Sequence, residues 1–190
     1  MTIIAGVDEV GRGPLAGPVL AAAVILNNRK PIEGLRDSKK LTDKKREELA
    51  HLIKQQARCW AIGIASVPEI DSVNILNASL LAMKRAIENL SLTPKLALID
   101  GNRCPNLIIK SEAIIGGDDL IAEISAASII AKVARDKIMS YFDKSYPDFG
   151  FGQHKGYGTQ KHLLALQKHG VTPLHRKSFA PVKALCLEVG

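Results

Sequence analysis

The sequence predicts an α/β layer structure built on a mixed β-sheet. Three observations carry that expectation. Short apolar runs rich in β-branched residues recur along the chain, as buried strands require. These runs cluster early and alternate with helical patterns later. The stretches between them repeat apolar residues at helical spacing.

Residues 2–8, TIIAGVD, are the first expected strand. Residues 18–26, PVLAAAVIL, are the second, with Asn27 and Asn28 as a turn. A helix follows over LTDKKREELAHLIKQQA, where Thr42 is placed to cap the N-terminus. Leu49, Leu52 and Ile53 give that helix one apolar stripe. CWAIGIASV is a third strand, and residues 75–90 are an amphipathic helix with Leu76, Leu80, Met83 and Ile87 in step. KLALID, residues 95–100, is a further buried strand. A single long helix is expected from Asp119 to about Phe142. Its small run Ser125-Ala126-Ala127-Ser128 lets it lie close against a sheet. Thr159 caps a shorter helix that stops at Gly170.

A length of 190 residues suits one domain over 1–190, with a helical segment from about 160 to 190 packed on it. Lys and Arg number 26 against 19 Asp and Glu, and the net charge of +7 points to a polyanion partner. Nucleic acid is the first candidate and an anionic membrane surface the second. Cys59, Cys104 and Cys186 are scattered and form no CxxC pair, which argues against a disulfide framework or a zinc knuckle. Residues 13–26, GPLAGPVLAAAVIL, are too short to span a bilayer, carry two prolines and follow two acids rather than a basic region. The expectation is a cytoplasmic protein with no membrane segment.

Two strands end on acids, one at Asp8-Glu9 and the other at Asp100, and Asp118 stands just before the long helix. Unpaired carboxylates at buried strand ends are costly, and several together repel one another. A hard divalent cation with oxygen ligands, Mg²⁺ or Mn²⁺, relieves both problems. Each acid also has a plainer role open to it. Asp118 or Asp119 fits a helix cap, Asp100-Gly101 a turn, and Glu9 a pair with Arg12. In a regular strand Asp8 and Glu9 point to opposite faces, so a shared site requires a break or twist at Glu9. The run Gly11-Arg12-Gly13 permits such a turn.

The motifs DEVGRGPLAGPV, DSKKL, LIDG, SAASIIAKVARD and GYGT, in that order, resemble bacterial ribonuclease HII, the type 2 ribonuclease H family. The resemblance runs from about residue 3 to residue 179. It implies a ribonuclease H-like fold: a five-stranded mixed sheet flanked by α-helices, with a C-terminal helical segment. It implies endonucleolytic hydrolysis of the RNA strand of RNA–DNA hybrids, and incision at ribonucleotides embedded in duplex DNA. The family's four catalytic, metal-binding acids match Asp8, Glu9, Asp100 and Asp118. Asp118 is preferred over Asp119 because the family's acid lies seven residues before the first Ser of SAAS. Two Mg²⁺ or Mn²⁺ ions are implied, with 5′-phosphate and 3′-hydroxyl products.

For the substrate, the resemblance assigns Gly11, Arg12 and Gly13 to the 2′-hydroxyl and Tyr157 to the neighbouring sugar. Backbone groups reach a hydroxyl closely where no Cβ intervenes. Lys39, Lys132 and Arg135 are candidates for phosphate contacts. Asp136 reads as structural, and His154, His175 and Arg176 receive no role. A monomer is expected. The rival readings are another metal-dependent nuclease of this fold and a non-catalytic RNA-binding module. A phosphate-cradling kinase loop is excluded, since GRGPLAG lacks the GK[ST] ending.

Overall fold

A computed structural model describes residues 3–35 and 38–188. Thr2 of the first expected strand and Asp37 of DSKKL lie outside the described residues. Along the chain come β1 (Ile4–Val10), β2 (Val19–Ile25), α1 (Asp43–Gln56), β3 (Cys59–Ala65), α2 (Val67–Glu88), β4 (Leu96–Asp100) and β5 (Lys110–Ile114). After them come α3 (Gly117–Leu120), α4 (Ala122–Ser145), α5 (Phe151–His154), α6 (Gln160–His169) and α7 (Ala180–Glu188).

The sheet is five-stranded and mixed, in the order β3-β2-β1-β4-β5. β1 is its middle strand. It runs antiparallel to β2, from Gly6 opposite Val24 to Val10 opposite Leu20, and parallel to β4. β5 was not evident from the residues alone. It is an edge strand, KSEAI, with no fully buried position, so it lacks the apolar run that marked the other four.

Helix α2 covers one face, packing Ala78, Ala82, Met83 and Ala86 on Val7, Ala21 and Ala23. Helices α4 and α1 cover the other, around Ala22 and Val24. β1 alternates accordingly: Val7 faces α2, whereas Val10 packs on the α4 side. At Gly6 the strand and helix touch backbone to backbone. A Cβ there would lie 2.1 Å from the carbonyl carbon of Glu123, so no other residue fits. The buried run Ser125–Ser128 continues this close contact along the helix, as its small side chains predict.

Two helices differ from expectation. The long helix is broken at Ile121, whose extended backbone (φ −121°, ψ 120°) separates α3 from α4. Asp118 therefore sits inside a one-turn helix rather than ahead of a long one. α2 begins eight residues before the expected start at residue 75. Ser66 and Glu69 form a reciprocal capping box with Pro68 in the first turn. The helix is kinked at Asn74 (φ 68°, ψ 165°), whose side chain accepts from the amide of Asn77 and starts the second half. Thr42 and Thr159 cap α1 and α6 as expected.

The segment beyond α4 packs on the β1–β2 loop. Leu15 and Ala16 share a core cluster with Met139, Phe149, Phe151, Leu166 and Val182. Among the described residues no helix is long and apolar enough to cross a membrane.

Glu69 also links α2 to itself across the kink, through two hydrogen bonds from Arg85 of 2.6 and 3.1 Å. Arg85 first, then the Ser66 amide, lowers the Glu69 carboxyl from 4.5 to about 2. A carboxyl depressed in the folded state stabilises fully above its unfolded pKa and loses that contribution as pH falls towards the folded value. The stability difference between the protein and Glu69→Gln is thus expected to be constant above about pH 5. It should shrink as pH falls from 4.5 towards about 2, read by urea unfolding at each pH.

Candidate active site

The C-terminal ends of the parallel neighbours β1 and β4 bring Asp8 and Asp100 side by side, and α3 adds Asp118. One carboxylate oxygen from each lies within 4.8 Å of the other two. The Asp118 amide donates to Asp100 Oδ1 at 3.3 Å. The Ser125 hydroxyl, at the head of α4, donates to the Asp118 carbonyl at 2.6 Å and locks α3 onto α4. Asp8 accepts from the Glu9 amide at 2.7 Å and from the Ser128 hydroxyl. Ser128 is in turn 2.9 Å from the Ser38 hydroxyl of DSKKL. That motif thus reaches the cluster through a buried serine pair.

Asp8 is 6% exposed. Burial, then the charges of Glu9 and Asp100, hold its carboxyl well above the usual carboxylate range. Burial also raises Glu9, against the lowering effect of Arg12. Three crowded hard oxygen donors, Asp8 and Asp118 buried and Asp100 half-buried, are a donor set that a divalent cation of the Mg²⁺ or Mn²⁺ type fits.

Glu9 departs from the expected arrangement. β1 does not break there: Glu9 and Val10 stay paired with Ala21 and Leu20, and the chain turns only at Gly11 (φ 96°). The ladder hydrogen bonds hold the strand regular, so Glu9 falls on the face opposite Asp8 and outside the three-acid cluster. It pairs with Arg12 at 3.2 Å. Its other oxygen, Oε2, is buried with no hydrogen-bond partner. The Asp100 charge still acts on it.

The glycine loop and Tyr157 meet. The Tyr157 ring is 3.5 Å from where a Cβ on Gly13 would sit, and the Leu15 amide donates to the Gly156 carbonyl at 2.8 Å. Gly13, Arg12 and Tyr157 are exposed, whereas Gly11 is buried. A Cβ on Gly11 would lie 2.2 Å from Arg135 Nε, so that glycine makes room for the arginine.

Lys39 lies at the rim, 3.8 Å from Asp118 Oδ2. Lys132 is turned to Asp136 at 2.7 Å, one helical turn on, and its ammonium is taken up there. Arg135 is a correction to the expected phosphate contact. It is 1% exposed, and it donates to the carbonyls of Pro18 (3.1 Å), Lys155 (2.9 Å) and Ala16 (3.1 Å). Its guanidinium braces three loop carbonyls and faces no solvent. Nearby, buried Arg176 also braces three loop carbonyls, buried His162 bonds the Tyr157 carbonyl, and buried His175 bonds His162. Their sequence context carried no periodic or motif signal for these bonds.

A family model described as Ribonuclease HII matches residues 5–182. The chain belongs to the ribonuclease HII family. It is 62% identical to a ribonuclease HII of Janthinobacterium sp. (strain Marseille), over 96% of this chain and 87% of that one. It is 60% identical to that of Vibrio parahaemolyticus serotype O3:K6, over 95% and 86%. Among solved structures, ribonuclease H2 from Pyrococcus horikoshii OT3 superposes with a TM-score of 0.82 at 25% identity, covering 97% of both chains. Bst-RNase HIII in complex with Mn²⁺ shares the fold, with a TM-score of 0.75 at 18% identity over 98% of this chain and 70% of that one. Membership makes the chain an enzyme, a ribonuclease H endonuclease that hydrolyses phosphodiester bonds.

Replacing Arg135 by Lys keeps the charge but removes the planar fork. With three buried carbonyls losing donors, Arg135→Lys is expected to cost about 2 kcal/mol or more in a urea unfolding curve. A phosphate-contacting role would leave stability unchanged.

Proposed function

We propose that this enzyme cleaves the RNA strand of RNA–DNA hybrids and incises duplex DNA at embedded ribonucleotides. Water adds to phosphorus, the P–O3′ bond breaks, and a 5′-phosphate and a 3′-hydroxyl result. The observation that carries the reading is the cluster of buried Asp8 and Asp118 with half-buried Asp100, one carboxylate oxygen of each within 4.8 Å of the others at the C-terminal ends of β1 and β4, together with the Gly13–Tyr157 contact made by the loop that follows β1.

Asp8, Asp100 and Asp118 would hold two Mg²⁺ or Mn²⁺ ions, and Glu9, outside their cluster but within reach of the Asp100 charge, would add its unpartnered Oε2 only by turning its side chain round the end of β1. Bound divalent ions supply activation of the attacking water and stabilisation of charge on the leaving oxygen. The protein's own groups do the rest. Ser128, backed by Ser38, keeps the Asp8 carboxylate oriented. Lys39 offers a cation to a phosphate beside Asp118. Gly13 presents bare backbone to the ribose, and Tyr157 offers a ring face against the adjoining sugar. Recognition of a 2′-hydroxyl separates RNA from DNA at one nucleotide, so a single ribonucleotide suffices as a target.

A duplex holding one ribonucleotide, incubated with Mg²⁺ or Mn²⁺, is expected to be cut at that nucleotide. Intact product strands would overturn the reading. Asp8→Asn is expected to abolish cleavage while hybrid binding persists, since the change removes negative charge near the phosphates. An RNA-binding module would keep all its function in that variant.

A further inference from the structure

Residues 174–178 cross the loop between β1 and β2 as a strap. The Gly17 amide donates to the Leu174 carbonyl at 2.8 Å, and the Arg176 amide donates to the Leu15 carbonyl at 2.9 Å. His175 bridges Ala16 in antiparallel fashion between them. Asp71 anchors the far end, accepting from the amides of Lys177 and Ser178 and from the Ser178 hydroxyl.

Two adjacent side chains of this strap reach in opposite directions. Arg176 is fully buried and donates to the carbonyls of Gly11 (2.6 Å), Arg12 (2.9 Å) and Gly17 (2.9 Å). All three donor nitrogens in use go to the glycine loop. His175 reaches the Tyr157 loop through a second histidine. Its Nδ1 accepts from the Thr172 amide at 3.0 Å, which leaves the proton on Nε2. That Nε2–H points at His162 Nε2, 3.0 Å away. His162 donates through Nδ1–H to the Tyr157 carbonyl at 2.9 Å. The assignment is self-consistent with two neutral rings, each giving one proton, with His175 Nδ1 accepting from the Thr172 hydroxyl at 2.8 Å as well as from its amide. His154 stacks on His162 with centroids 4.5 Å apart and steadies its plane.

We propose that His175 and Arg176 are positioning residues for ribose recognition. Arg176 fixes the glycine loop by its carbonyls, and His175 fixes Tyr157 through His162. The separation between the Gly13 backbone and the Tyr157 ring therefore depends on two consecutive residues that touch no substrate, beside the Leu15–Gly156 bond and Arg135, which join the same loops. None of these bonds involves Asp8, Asp100 or Asp118, so the strap governs reading of the sugar and leaves the acid cluster alone. The inference rests on the proposed roles of Gly13 and Tyr157.

The test compares the intact protein with Arg176→Lys, His175→Phe and His175→Gln. Lysine keeps the charge but cannot serve three carbonyls, and phenylalanine keeps the ring but removes the Nε2 donor. Glutamine can restore that donor. On a duplex with one ribonucleotide, Arg176→Lys and His175→Phe are expected to lower kcat about tenfold or more, the effect of one lost transition-state contact. Affinity for an all-DNA duplex and for Mn²⁺ alone, by calorimetry, should match the intact protein. His175→Gln should cut clearly faster than His175→Phe. If Arg176→Lys does not fold, the two His175 variants decide. Intact kcat in the folded variants, a parallel loss of Mn²⁺ affinity, or equal defects in His175→Phe and His175→Gln would each overturn the inference. Failure of the unaltered protein to cut at the ribonucleotide would instead overturn the proposed function.

Discussion

Helix α4 meets β1 at backbone distance, and the acid cluster exists because of that contact. Gly6 removes the one Cβ that would collide with Glu123. The small residues Ser125 to Ser128 then keep the helix near the strand up to Asp8. Ser128 arrives close enough to bond the Asp8 carboxylate, and Ser125 draws α3 and Asp118 inward through the Asp118 carbonyl. A larger residue at either serine would push the helix away and open the cluster to water. Desolvation, the largest cause of the raised Asp8 carboxyl, is thus a product of helix packing.

A second layer of organisation surrounds the loops that carry Gly11–Gly13 and Tyr157 and is built from buried cations on backbone carbonyls. Arg135 and Arg176 together serve Ala16, Pro18, Lys155, Gly11, Arg12 and Gly17. Burial lowers Arg135 to about 10 and Arg176 to about 9, so both remain charged at neutral pH. Irregular loops carry unsatisfied carbonyls, and a guanidinium answers several of them at once. These arginines do for the loops what ladders do for strands. The acid cluster and the glycine and Tyr157 loops are therefore stabilised by different means: close helix packing in one, buried guanidinium groups in the other.

Much of this was legible in the sequence for physical reasons that can be named. The four buried strands announced themselves by apolar β-branched runs, and Thr42 and Thr159 by capping chemistry. β5 did not, because an edge strand of Lys, Ser and Glu carries no burial pattern. The first turns of α2 were concealed although Ser66 and Glu69 spell a capping box, because Asn74 interrupts the periodicity. At the site, acids ending two strands pointed to Asp8 and Asp100. The opposite direction of Glu9 was also foreseeable, since strand alternation alone requires it. Arg135 misled because a basic residue on a helix reads as a surface cation. Only the fold shows that Gly11 clears a space for it. Arg176 and His175 stayed silent because their partners lie far away in sequence.

That distance has a bearing on how the enzyme comes into being. The side chain of Arg176 bonds Gly11, 165 residues earlier in the chain. A polypeptide emerging from the ribosome presents Asp8, Asp100 and Asp118 well before the strap is available to close over the β1–β2 loop. Sheet and acids can assemble first, while the loops proposed to read the ribose must wait for one of the longest-range closures among the described residues. Competence to hold metal would precede competence to choose a sugar. On the proposed reading, a nascent chain at that stage would hold its acids but lack the frame that aims them at a nucleotide, and selectivity would be the last property acquired during synthesis.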